Sequence, residues 1–214
     1  MAAMKLTYEQ RGQLEFRLDE LRRQMELGRV SFDEAMKRVQ EWIDDGLVVV
    51  PEPILTFLST ITIPSTTSQF VAKDKFVVNM SDDAPVKISH LGGNFTTWFL
   101  NGSGKTEDPI SGQTLRYAEL CKASVDAPII AELGGEAKSE TTLAELFFLV
   151  EKQKCGEDGV LLNNGWANIF YVRDQDGLLR AVRVGWLVVG WYLYADALEV
   201  PRGWRDGNQV FSRN

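Results

Sequence analysis

The sequence predicts an α+β fold: a helical hairpin over residues 1–46, then a mainly antiparallel β-sheet packed against at least one long helix. Three observations predict it. Apolar residues recur at helical spacing up to Gly46 and give way afterwards to extended runs rich in Thr, Val and Ile. Thr142 with Glu145 three residues on forms a capping box, ahead of the stripe Leu143, Leu146, Phe147 and Val150. Near the carboxyl end, apolar runs flank Asp174-Gln175-Asp176-Gly177, and Asp-Gly in that setting is a strong hairpin signal.

Taken in order, Thr7 and Gln10 fit a capping box at the first helix, followed by the face Leu14, Leu18, Leu21 and Met25. Gly28 suits the left-handed turn that ends a helix. Ser31 with Glu34 starts the second helix, whose stripe is Ala35, Met36, Val39 and Ile43, and Gly46 stops it. A pair this small cannot bury both stripes against itself, so residues 1–46 are expected to dock on the remainder or to drive self-association. Residues 47–214 then form the α+β domain. In it, Leu47–Val50, Ile54–Ile63, Phe70–Val78 and Val86–Leu91 read as extended. Thr96–Leu100 fits either a helical turn or a strand, and Gln113–Lys122 reads as a helix with Leu115, Ala118 and either Cys121 or Leu120 inward. Thr142–Lys154 is the deep helix. Asn168–Arg173, Leu178–Trp186, Trp191–Ala197 and Gln209–Ser212 complete a meander.

Composition removes several roles. The 214 residues carry 23 basic and 30 acidic side chains, a net of −7, and a protein that coats duplex nucleic acid needs a basic footprint. The most apolar stretch, Val184 to Ala195, is interrupted by Gly185 and Gly190 and falls short of the roughly 20 residues a membrane span needs. Cys121 and Cys155 could close one disulfide, but a chain of this size does not depend on one. Met1 to Leu6 lead directly into polar helical sequence rather than an export signal, so the expected setting is a reducing, cytoplasmic, bacterial one.

Each chemical motif has a plainer competitor. Asn101-Gly102-Ser103-Gly104-Lys105-Thr106 resembles the end of a phosphate loop, but Phe99 stands where the first glycine belongs and Pro109 interrupts the following helix; a glycine-rich turn is favoured. Asp174 and Asp176 lack the spacing of a calcium loop. The single histidine, His90, excludes zinc sites built on two or three histidines, and no metal or cofactor is expected. Glu132, Glu136, Glu140 and Glu145 are read as caps or solvated groups.

The carboxyl-terminal aromatic residues are the least ordinary feature. Trp166, Tyr171, Trp186, Trp191, Tyr192, Tyr194 and Trp204 are interleaved with Arg173, Arg180, Arg183, Arg202 and Arg205. Alternation along a strand sets Arg183 opposite Val182 and Val184, and Tyr192 and Tyr194 opposite Trp191 and Leu193. One face is expected to pack on the helix while the other offers rings and guanidinium groups to a ligand or protein.

The segments Ala131–Ala137, Thr142–Phe147, Asn168–Asp174, Leu179–Val184, Pro201–Gly207 and Val210–Arg213 together resemble a group of bacterial proteins with no assigned activity, over about residues 60–214. That resemblance implies no catalytic motif. The N-terminal hairpin is similar in pattern to short bacterial association modules. The leading expectation is a non-enzymatic binding or interaction protein using Arg183, Tyr192, Tyr194, Trp204 and Arg205, self-associating through residues 1–46 and meeting a small ligand or a protein. The alternative is a small hydrolase with His90 as general base, oriented by Asp82 or Asp83.

Overall fold

The computed structural model describes residues 18–44, 53–200 and 202–213. The chain divides into two units, Met1–Glu52 and Pro53–Asn214. The expectations at Thr7, Gln10, Leu14, Gly46 and Leu47–Val50, and for the Ile43 side chain, lie outside the described residues.

In the first unit, residues 18–26 are helical (α1) and Phe32–Asp44 form α2. Between them Gly28 adopts φ +66°, with its N–H donating to Met25 and that of Arg29 to Gln24. These paired bonds satisfy carbonyls that the end of α1 leaves free, and the left-handed residue is one that glycine alone adopts without a steric penalty. Ser31 Oγ accepts from the Glu34 N–H at 3.2 Å. Glu34 itself reaches forward to Arg38 at 2.7 Å rather than back to the cap.

The second unit is α+β, built on an eight-stranded mixed sheet. Its strands are β1 (Leu55–Ile63), β3 (Ile88–Leu91), β5 (Gln113–Leu120), β6 (Glu140–Thr141), β7 (Asn168–Arg173), β8 (Leu179–Leu187), β9 (Gly190–Ala197) and β10 (Gln209–Arg213). The order is β1-β5-β10-β7-β8-β9-β3, with β6 also paired to β7. Pairs β1·β5, β5·β10, β7·β8 and β8·β9 are antiparallel, and β10·β7, β3·β9 and β6·β7 are parallel. A separate ribbon pairs β2 (Phe70–Val71) with β4 (Thr106–Glu107). The helical elements are α3 (Ala72–Lys75), α4 (Gly93–Phe95), a π-helical turn Thr96–Leu100, α5 (Asp126–Glu132), α6 (Glu136–Ser139) and α7 (Leu143–Lys152).

Helix α7 begins at the full capping box: the Thr142 hydroxyl accepts from the Glu145 N–H and the Glu145 carboxylate from the Thr142 N–H. Leu143, Leu146, Leu149 and Val150 are buried beneath it, with Phe170, Val182, Val184, Trp191, Leu193 and Phe211 of the sheet in the same core. A second core lies among Leu120, Ile129, Ile169, Tyr171, Ala181, Trp204 and Val210.

Two segments differ from their sequence reading. Gln113–Lys122, expected as a helix, is strand β5 between β1 and β10. Leu115 and Ala118 look like a helical stripe at a spacing of three, yet each enters a different core, Leu115 the first and Ala118 the second. A strand sends residues an odd number apart to opposite faces, and burial on both sides outweighs local propensity. Phe70–Val78, expected as one strand, pairs only over Phe70–Val71 before turning into α3, where the Phe76 N–H bonds back to Ala72. The last strand also takes another place: β10 inserts between β5 and β7 instead of extending the meander beyond β9.

Candidate functional site

Strands β8 and β9 carry the arginine–aromatic alternation on paired residues, Arg183 against Tyr194 and Gly185 against Tyr192. Glycine at 185 is a packing requirement: a β-carbon there would collide with the Tyr192 hydroxyl, so the ring lies across the neighbouring strand. The Arg183 guanidinium carbon sits 4.2 Å from the centre of the Tyr194 ring, and Tyr192 and Tyr194 meet edge to face. Beside them a cleft of about 550 Å³ is lined by Trp166, Arg183, Tyr192, Arg202, Trp204 and Arg205, with Asn164 and Asn208 also on its wall.

The cleft thus gathers four of the five expected binding residues: Arg183, Tyr192, Trp204 and Arg205. The fifth, Tyr194, lies behind Arg183. The expectation of freely exposed rings needs correction. Trp204 is 2% exposed and Tyr192 8%, while Trp166 is 38% exposed. The reason is that the sheet face opposite α7 is not bare: α5 and the segment through Trp204 build the second core on it. Trp204 is a buried wall, tied by its indole N–H to Asp126 Oδ1 at 2.7 Å. The Tyr171 hydroxyl donates to the same oxygen at 3.0 Å. Burial pushes the Asp126 carboxyl above the usual carboxylate range against the pull of those two donors, and its Oδ2 has no hydrogen-bond partner.

Positive charge is crowded in the cleft. Asp196 Oδ2 lies 3.9 Å from Arg183 Nε and 3.6 Å from Arg202 Nη1, so one carboxylate is shared by two guanidinium groups. Arg183 Nε and Asp196 Oδ2 are both buried without a hydrogen bond. Burial lowers the Arg183 pKa, and the charge of Arg202 lowers it further, opposed by Asp196. With Arg205, three arginines line the cleft, in a chain whose net charge is −7. Trp166 and Arg202 belong to the cleft although the sequence reading left them outside its binding set. Arg202 stands two residues before Trp204, with its guanidinium 5.7 Å from that ring; that spacing was the available signal.

The residues of the hydrolase alternative are placed differently. His90 is exposed on β3, its ring 5.1 Å from that of Tyr194. Asp82 is paired with Lys87 at 3.4 Å, and the Ser81 hydroxyl holds the Asp83 carboxyl below its ordinary range. Among the described residues, no hydrogen bond links His90 to either carboxylate. The four glutamates have local partners. Glu132 accepts from the Ile54 and Leu55 N–H groups, Glu136 and Glu140 pair with Arg173, and Glu145 caps α7. Asn101–Lys105 is a turn leading into β4, in which the Gly104 N–H bonds to Asn101 and Lys105 reaches Glu107 at 3.8 Å. Cys121 and Cys155 are free and exposed. No group of three or more possible metal ligands occurs among the described residues, and no described helix is long and apolar enough to cross a membrane.

Fold and cleft together define an α+β protein with an arginine-lined concave surface on its sheet. Comparison with family models, with curated proteins and with solved structures finds no match to the chain.

Proposed function

We propose that this is a non-enzymatic binding protein whose cleft between Trp166, Arg183, Arg202 and Arg205 holds an anionic ligand. The observation that carries the reading is the crowding of Arg183 and Arg202 around one shared carboxylate, in a recess that a ligand can enter. Guanidinium groups left short of acceptors are stabilised by any oxyanion that supplies them, because charge-assisted bonds are the stronger class. The N-terminal hairpin is proposed to carry self-association, since Leu27, Phe32 and Met36 stay exposed on it at 50% or more.

A thermal-shift panel of small anions tests the cleft. Bound ligand at 100 times its Kd stabilises the folded state by about 2.7 kcal/mol. The wild type is expected to gain in melting temperature with its ligand and Arg183→Gln to gain little. Equal shifts in both would overturn the reading. Sedimentation of the chain with and without residues 1–46 tests self-association, which fails if both run as monomers.

A further inference from the structure

We infer that the anion taken by the cleft is a nucleoside phosphate, with its phosphate between Arg183 and Arg202 and its base against Trp166. This rests on the anion-binding reading above and goes further in naming the ligand class. Arg183 and Arg202 share a single carboxylate and both line the recess together with Arg205, so the recess presents more cationic donors than that one carboxylate answers, which suits a group with several acceptor oxygens. Arg183 Nε is buried beside Asp196, so what Arg183 offers a ligand is the exposed remainder of its guanidinium, with 20% of the side chain open.

Size argues against a bare inorganic ion. About 550 Å³ lies within the range of sites for ligands carrying a ring system. The wall supplies the surface that a ring needs. Three atoms of the Trp166 indole lie 3.6–3.7 Å from the point where a β-carbon of Gly207 would stand, so the ring rests on that glycine on one side while 38% of the residue stays exposed. A planar base can stack on such a platform whatever its identity, and Asn164 and Asn208 on the same wall bring amide groups to the recess. A long nucleic acid is disfavoured by the same charges: a net of −7 repels a polyanion, while a mononucleotide needs only the local surplus of cations.

The test titrates the full chain with the four ribonucleoside monophosphates, their nucleosides, inorganic phosphate and citrate, read by calorimetry. At least one mononucleotide is expected to bind ten-fold or more tighter than both phosphate and its own nucleoside. Trp166→Ala should remove that preference and leave phosphate binding unchanged, Trp166→Phe should retain it, and Arg183→Gln should weaken nucleotide and phosphate alike by ten-fold or more. Near-ultraviolet circular dichroism confirms that each variant is folded. If phosphate or citrate binds through Arg183 with no preference for nucleotides, the nucleotide assignment falls and the anion-binding reading stands. If no anion binds, both fall.

Discussion

The two faces of the β8–β9 hairpin are written in the same few residues and end in different physical states. Toward α7, Val182, Val184, Trp191, Leu193 and Ala195 are all 2% exposed or less. The polar atom of Trp191 is satisfied there, its indole N–H donating to the Gln153 carbonyl at 2.7 Å. On the opposite face Ala181 is equally buried, but Arg183 and Asp196 keep 20% and 25% of their side chains exposed and lack hydrogen bonds at Nε and Oδ2. A close-packed interior gains from apolar burial and tolerates no unpaired charge, so the first face serves stability. The second gives up some packing to hold charge at a cleft. A folded chain keeps such an arrangement at a cost, which is why the site is sought there.

The comparison predicts effects that fall from the first face to the second. Trp191→Ala should lower unfolding free energy by about 3–5 kcal/mol in urea titration, through the cavity and the stranded Gln153 carbonyl. Trp204→Phe keeps a ring in the second core and removes one donor to Asp126; about 1–3 kcal/mol should be lost in the same assay. A loss as large as that at Trp191 would place Trp204 in a core no looser than the first.

Asp126 also gives the second core a pH dependence. Burial raises its native pKa, so the folded state holds the proton more tightly than the unfolded one. The stabilisation is therefore full below the ordinary carboxyl value of about 3.9 and is lost as pH rises through the raised native value. Asp126→Asn should flatten the fall of the urea midpoint with pH above about 4. An unchanged slope would assign the dependence elsewhere, to Glu107 and Glu145, whose carboxyls burial also raises.

Arg183→Gln should change stability by less than about 1 kcal/mol, because the cation–ring contact with Tyr194 is lost while repulsion from Arg202 is relieved. The smallest effect is expected at the hairpin tip, with the opposite sign. Val188 has φ +47°, a region unfavourable to a β-branched residue, and is 93% exposed. Val188→Gly should raise stability by up to about 1 kcal/mol, and a loss instead would show that the tip is not strained.

Much of the local structure was legible before any coordinates. Gly28, the Thr142–Glu145 box, the Asp174–Gly177 turn and the alternation of Arg183 with Val182 and Val184 are decided within a few residues. Capping, turn chemistry and strand period act over that range. Two features were beyond the sequence: that β5 is a strand and that β10 enters between β5 and β7. Both depend on partners distant in the chain, and the covering of the second sheet face by α5 and Trp204 depends on them in turn. So along β8 and β9 the sequence determined which side chains share a face, because the pleat does that locally once the strand is recognised. Only the tertiary structure decided how deeply each is buried and that Arg202 meets Asp196, since packing and charge act between residues that the chain itself keeps apart.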